Sequence, residues 1–388
     1  MSDIVFFSNS WQPISALLTF SLGLFFSVII SRKLLLSDRL TITLYFYHTM
    51  FCVIYFIYSH LNASDSNMYF NSSSLDVELD SLKVGTTFVR YFVRFFHYLD
   101  FSKFGVFLVF NFIGFVGLVL YYSALKSVTS NSSSRVKNLV ILSVFLPSIS
   151  FWSSAIGKDA ISFLAVGLAL YSAINFKSRI LLFAFSVVLM LLVRPHMAGI
   201  MIIATLVSIV LQKEIAIIPR VFIGSIGLVV AVIMIPFALS YAGLEQDASN
   251  ISNYIETRQG YNQQGGGGVD ISSMSLPMKM FTYLARPLPF EAKSITQLLS
   301  SLDNMLILYI LFMGIISRIR SKELKLIGNR VFMWWYTGAS WVILSMTTSN
   351  LGIAVRQKWM FVPVLTFLLI SIVAAVQEKQ KKHYYNDH

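Results

Sequence analysis

Charge is what this chain has least of. Only 12% of its 388 residues are Asp, Glu, Lys or Arg, about half the share of an ordinary soluble domain. With 56% hydrophobic residues beside it, so little charge argues against a water-soluble enzyme, a disordered segment and a fibrous protein. Cysteine is nearly missing too. The lone Cys52 sits in an apolar run, which excludes an internal disulfide and a thiolate metal cluster. There is no G-x-x-x-x-G-K-[ST] or G-x-G-x-x-G phosphate loop, no G-x-S-x-G and no C-x-x-C. No Asp, Glu or His grouping has metal-ligand spacing, so neither a metal nor a nucleotide cofactor is expected. The N-terminus lacks a basic stretch followed by a small-residue cleavage site, so no cleavable signal peptide is expected.

Apolar and aromatic sequence fills the space. Phe alone occupies 33 positions, and mean hydropathy is +0.70. Apolar runs lie at 14–30, 40–58, 104–122, 138–156, 160–176, 180–193, 197–212, 220–241, 301–317, 331–347 and 359–376. A helix needs about 20 residues to cross a bilayer's hydrocarbon, so these eleven runs predict an all-α polytopic membrane protein with about eleven transmembrane helices. The short runs 180–193 and 197–212 are the least secure pair, because only Arg194, Pro195 and His196 separate them. Were they one broken span, the later topology would invert.

Charge orients the runs. With the N-terminus outside, the inner segments hold 18 of the 30 basic residues and five of the 18 acidic ones, a net +13 that leaves −1 for the rest. Short basic inner loops are the positive-inside pattern. The +12 of the whole chain is therefore a topology signal, and no nucleic-acid partner is expected. The N-terminus is expected outside and the C-terminus in the cytoplasm. Residues 1–388 read as one integral membrane domain with two long outer segments, 59–103 and 242–300. The glycine run Gly265–Gly268 reads as a flexible tip of the second. Chemistry at the outer face has no ATP at hand.

Polar residues beside the runs are the functional candidates. In 82–99, LKVGTTFVRYFVRFFHYL, the residues Lys83, Thr87, Arg90, Arg94 and His97 recur at spacings of four and three. That is one polar stripe on a helix, predicting an interfacial helix with its basic edge toward head groups or a lipid-linked phosphate. Arg194-Pro195-His196 is either a plain outer turn or a cation facing a cavity. Lys158-Asp159, after FWSSAIG, reads as a pair that neutralises itself or as part of a site. Asp65 lies early in the first outer segment. Arg286 and Glu291 flank two prolines in YLARPLPFEAK, where the backbone is stiff. Arg356 and Lys358 open the last run and read as interface anchors or ligand-binding cations. Together, Arg90, Arg94, Lys158, Arg194, Arg286 and Arg356 fall on one side of the membrane. Guanidinium groups match phosphate oxygens bidentately and keep their charge, so this set suits a lipid diphosphate and the charge that builds on it as it leaves. A sugar transfer also needs a base for the acceptor hydroxyl. Asp65, Asp159, His196 and Glu291 are the candidates.

Asp65 with Tyr69, the segment LPSISFWSSAIGKDA, the VRPH turn, RPLPFEA before a span and NLGIAVRQKWMFVP resemble the bacterial O-antigen and capsular polysaccharide polymerases over most of the chain. The resemblance implies a glycosyltransferase C-like membrane fold. It implies transfer of a growing glycan from undecaprenyl diphosphate onto a new lipid-linked repeat unit, at the periplasmic face of the inner membrane, without a nucleotide sugar. It implies diphosphate binding by Arg194, Arg286 and Arg356, with Arg90 and Arg94 added from the first outer segment. Its partners would be undecaprenyl-diphosphate-linked oligosaccharides, membrane lipids and a chain-length-regulating membrane protein. The second outer segment lacks the repeated arginine-rich pattern of some members. Rival readings are a glycosyltransferase using polyprenyl-phosphate sugar with Asp65 as base, an O-antigen ligase, a lipid-linked oligosaccharide flippase and a membrane scaffold. A flippase should show repeated halves with charges through the midplane, and no repeat is evident.

Overall fold

A computed structural model describes residues 6–76, 78, 81, 83–211, 221, 225, 267–321 and 324–386. Among these, every regular element is a helix, with one isolated backbone bridge. The helices are α1 (Trp11–Lys33), α2 (Asp38–Leu61), α3 (Asp65–Asn71), α4 (Thr86–Tyr98), α5 (Lys103–Thr129), α6 (Ser134–Val144), α7 (Pro147–Ser153) and α8 (Lys158–Ile174). Then follow α9 (Ile180–Val193), α10 (Pro195–Val210), α11 (Leu276–Ala285), α12 (Ile295–Arg320), α13 (Arg330–Thr347), α14 (Leu351–Gln357) and α15 (Val362–Asn386). Six stretches, α1, α2, α5, α6 with α7, α12 and α15 to Lys381, are long and apolar enough to cross a membrane. Large apolar side chains such as Leu17, Phe25, Leu181 and Phe312 stand exposed along these and neighbouring helices. That is the surface expected of a helical membrane protein, in which a bilayer covers the apolar exterior.

Helices fall on ten of the eleven apolar runs; the run 220–241 lies outside the described residues apart from Val221 and Ser225. Three runs differ from simple spans. Run 138–156 is broken at Phe145-Leu146, because the residue before a proline avoids the α region. Leu146 is extended (φ −64°, ψ 124°), and Pro147 restarts the helix at its first position. Runs 180–193 and 197–212 are separate helices with a single residue between them, Arg194 (φ −145°, ψ 75°). They fold back on each other. Phe183, early in α9, meets Phe332 edge to face at 5.1 Å, while Ser208, late in α10, accepts from Asn329 Nδ2 at 2.9 Å. Both distant ends thus meet the start of α13, and Arg194 is the apex of a hairpin.

The centre of the bundle is α5 against α8. Here the backbones nearly touch, because glycines face one another. A Cβ added at Gly117 would stand 2.9 Å from the Leu164 backbone, and one at Gly167 would stand 2.6 Å from the Gly117 carbonyl; one turn away, Gly114 lies against the Ser153 carbonyl at the end of α7. Small residues allow this approach where no water is present to drive helices together. Helix ends elsewhere are closed by side chains: Ser102, Ser294, Asn329 and Asn350 each accept a backbone N–H one turn into the following helix.

The glycine run does not end as a free tip. Gly268 bridges Asn350, Val269 N donates to Ser349 O at 2.8 Å, and Leu351 N donates to Gly267 O at 2.8 Å. The segment from Gly267 therefore starts pinned to the backbone just before α14.

Gly117→Leu is expected to force α5 from α8 and destabilise the bundle by about 1–3 kcal/mol. Gly338→Ala, where a Cβ would meet nothing within 4 Å, should be silent. Thermal unfolding in detergent separates the two; equal melting temperatures would show that the α5–α8 contact is not close-packed.

Candidate functional site

Asp159 lies just before the apolar run 160–176, in the first turn of α8, where helix N–H groups favour a carboxylate. It does not pair with Lys158, since adjacent helical residues do not face each other. Instead its two oxygens take two arginines from far along the chain. Arg194 Nη2 donates to Oδ1 at 2.6 Å, and Arg356 Nε donates to Oδ2. Arg194 also donates through Nε to Ser162 Oγ at 3.2 Å, one helical turn beyond Asp159. Arg356 Nη1 reaches on to Asp65 Oδ2 at the start of α3. The Arg356 guanidinium also lies 5.5 Å from the Trp152 ring centroid.

Each partner is positioned by its backbone. Arg194 occupies the apex of the α9–α10 hairpin, buried, because Pro195 keeps it out of the helix. Arg356 lies on α14, whose start is capped by Asn350 and pinned by the Gly268 bridge. Tyr69 closes one side: a Cβ at Gly157 would lie 3.6 Å from its ring and 4.0 Å from Arg356 Nη2. Asp159 and Arg194 retain 11% and 10% of their side-chain exposure, while Asp65 retains 49%. The cluster is closed behind Asp159 and open at Asp65. With Lys158 included it holds three cations and two carboxylates, so it is formally one charge positive. Burial raises the Asp159 pKa, but the guanidinium groups of Arg356 and Arg194 more than offset this and hold it below the usual carboxylate range. Burial, with help from Arg194, pulls the Lys158 ammonium down to about 8.

A second polar group adjoins the first. Lys358, two residues after Arg356, is fully buried and donates to Asn304 Oδ1. Asn304 Nδ2 donates to Pro287 O at 3.0 Å. The neighbouring Asp303 accepts from Ser148 N at 2.8 Å and from its hydroxyl. Burial pushes the Lys358 ammonium down to about 8, against the attraction of Asp303. Lys358 is therefore not the interface anchor its position suggests. Arg286 enters here through Pro287. Its ion pair is with Glu291 (2.7 Å), whose carboxylate also accepts Leu288 N at 2.9 Å. The Arg286 bond holds Glu291 below its ordinary pKa.

Of the sequence candidates, Asp65, Lys158, Asp159, Arg194 and Arg356 come together. Arg286 and Glu291 form an adjoining pair instead of joining Asp159. Arg90 and Arg94 are not in the cluster. Arg90 donates to Ser72 O at 2.9 and 3.2 Å, and Arg94 donates to Ser74 O and Leu75 O at 3.1 and 3.0 Å. His97 Nε2 meets Phe70 O at 3.0 Å. The polar stripe of α4 thus grips the carbonyls after α3, since those carbonyls have no helical partner of their own. Its other face buries Val89 and Val93. His196 is half-buried in the first turn of α10.

Sequence reading missed four members of the surroundings. His48 Nδ1 pairs with Asn111 Oδ1 at 2.6 Å, and its Nε2 meets Ser153 Oγ at 3.0 Å. His48, Asn111 and the pair Asp303-Asn304 were polar residues inside apolar runs, which is the signal that could have found them. Between Trp152, Ser153, Asp159, Ser162, Arg356 and Trp359 lies a cavity of about 10 Å³, room for about one water. The arginines therefore meet in an ion-paired site with little free volume behind Asp159 and its opening at Asp65. Among the described residues no group of three His, Cys, Asp or Glu is placed to hold a metal.

Neither a protein-family model, nor a curated protein, nor a solved structure matches the chain.

Asp159→Asn leaves two buried guanidinium groups short of a partner and is expected to destabilise by about 3–5 kcal/mol. Asp65→Asn removes a half-exposed pair and should lose about 0–1 kcal/mol. Unfolding midpoints in detergent test this ranking, which equal losses would contradict.

Proposed function

We propose that this protein is a glycosyltransferase that polymerises undecaprenyl-diphosphate-linked oligosaccharide repeat units at the periplasmic face of a bacterial inner membrane. The observation that carries the reading is the meeting of Asp65, Asp159, Arg194 and Arg356, from four separate stretches, at the ends of apolar helices. The finer architecture belongs to the same proposal: eleven spans in a glycosyltransferase C-like arrangement, with the N-terminus periplasmic and the C-terminus cytoplasmic.

In this reading a lipid diphosphate displaces Asp65 from Arg356 and takes its place. Asp65 is the exchangeable partner because it is the more exposed carboxylate, whereas Asp159 is buried and doubly paired. The displaced Asp65 takes the proton from the acceptor hydroxyl. The acceptor oxygen bonds to the anomeric carbon as the bond from that carbon to the diphosphate oxygen breaks, and the lipid diphosphate leaves with the electron pair. Arg356 and Arg194 stabilise the charge that builds on it, in surroundings where water does not screen them. Asp159 holds both guanidinium groups in place through the cycle. Arg286, held by Glu291 next to the Lys358 group, supports the rim. The same Asp65 would also serve a transfer from polyprenyl-monophosphate sugar, so the assay must separate the two.

The test is purified protein in liposomes with undecaprenyl-diphosphate repeat units as the only substrate. Lengthening of the lipid-linked glycan is expected, with Asp65→Asn reducing the rate by about 10²–10⁴-fold. Arg356→Ala should give single-repeat products in cells while the protein remains inserted. Strict dependence on a polyprenyl-monophosphate sugar, or a normal ladder with Arg356→Ala, would sink the reading.

A further inference from the structure

The far end of α8 carries a second basic site, independent of the sugar-transfer reading. Residues 328–330 pack against the C-terminus of α8: Asn329 N donates to Ala173 O at 2.7 Å. Ala173 is 14 residues along α8 from Asp159, so this end is about 21 Å from it. A cleft of about 150 Å³ opens there between the end of α5, the segment before α13 and the middle of α15. One water needs about 10–15 Å³ on the same measure, so the cleft admits several waters or a tetrahedral oxyanion.

Its lining is built for an anion. Ser127, Ser130, Lys325, Arg330, Ser371 and Glu378 are among the residues that face it. Arg330 is fixed by three contacts. Its Nε donates to Ile327 O at 2.7 Å, its Nη1 donates to Ser371 Oγ at 2.7 Å, and its guanidinium lies 5.1 Å from the Phe367 ring centroid. Its Nη2 is buried and has no hydrogen-bond partner. No carboxylate pairs with it among the described residues, although Glu378 lies on the same cleft. A guanidinium keeps its charge, and a buried N–H without a partner is costly to leave unmade. Ser130 and Ser132, on the turn after α5, add hydroxyls to the lining, whereas the Ser127 and Ser371 hydroxyls already donate to backbone carbonyls. Lys381 closes the turn by donating to Asn131 O at 3.0 Å. Glu378 is exposed at the rim, where solvent screens it, while Arg330 is half-buried with its Nη2 enclosed.

We propose that this cleft binds a phosphate-bearing anion, with Arg330 as the principal ligand, Lys325 as a second charge and serine hydroxyls as donors. The shared chemistry is a phosphate oxyanion, whether it arrives on a lipid head group or in solution.

The test uses the full chain in phosphatidylcholine nanodiscs containing a minority of phosphatidylglycerol. Retained lipid is read by native mass spectrometry, and stabilisation by inorganic phosphate is read by thermal shift. Wild type should retain phosphatidylglycerol, and Arg330→Gln should lower retention about tenfold, the loss of a hydrogen bond to a charged group. Arg320→Gln, an exposed control, should behave as wild type. Saturable stabilisation by phosphate, lost in Arg330→Gln and without lipid enrichment, would assign the site to a soluble anion and still support it. Arg330→Lys keeps the charge, gives up the planar fork and serves as the fold-safe variant. Anion binding unchanged in both Arg330→Lys and Lys325→Gln overturns the proposal. So does an equal loss in Arg320→Gln.

Discussion

The Asp159 carboxylate is the constraint around which this molecule is arranged. A buried charge is tolerated only when it is paired and hydrogen-bonded, and Asp159 meets the condition on both oxygens. To do so it draws in the apex of the α9–α10 hairpin and the short helix α14. Through Arg356 it also engages the start of α3. Breaking the carboxylate would leave two cations in a medium that solvates them poorly.

The helical frame makes such a cluster possible. Glycines at 117 and 167 let α5 and α8 approach until their backbones nearly meet, and Gly114 does the same for α5 and the end of α7, which sets the start of α8 deep enough to be covered. α4 then holds the loop after α3 with Arg90, Arg94 and His97, so the helix bearing Asp65 is fixed from outside the cluster. The bridge between Gly268 and Asn350 fixes α14 from the other side. Cations that look alike in the sequence have therefore divided their work. Arg194 and Arg356 hold a carboxylate, while Arg90 and Arg94 hold backbone.

The difference between the two aspartates gives the site its chemical direction. Asp159 is enclosed and doubly paired, so it is suited to anchoring. Asp65 is half-exposed and singly paired, so an anion of higher charge can compete for its arginine. At the opposite end of α8, Arg330 shows the reverse arrangement, a fixed guanidinium with an unmet N–H beside a cleft. The two ends of one helix thus present a saturated and an unsaturated cation site.

Much of the frame was legible in the chain itself. Long apolar runs with little charge require helices in a membrane, because backbone groups there have no other partner. Pro195 marked the turn at Arg194, since proline constrains both itself and the residue before it; Pro147 breaks run 138–156 for the same reason, although that run reads as one span in the sequence. The candidate cations were visible as charges beside apolar runs. Their partners were not. Asp159 neighbours Lys158 in sequence but faces Arg194 and Arg356, because direction around a helix and the packing of distant helices decide contact. Lys358 read as an anchor at a span boundary, yet it is buried on Asn304, which only the docking of α12 could supply. Sequence determines which residues must leave water and which resist leaving it; the tertiary packing alone decides who neutralises whom, because a charge pairs by distance in space and not along the chain.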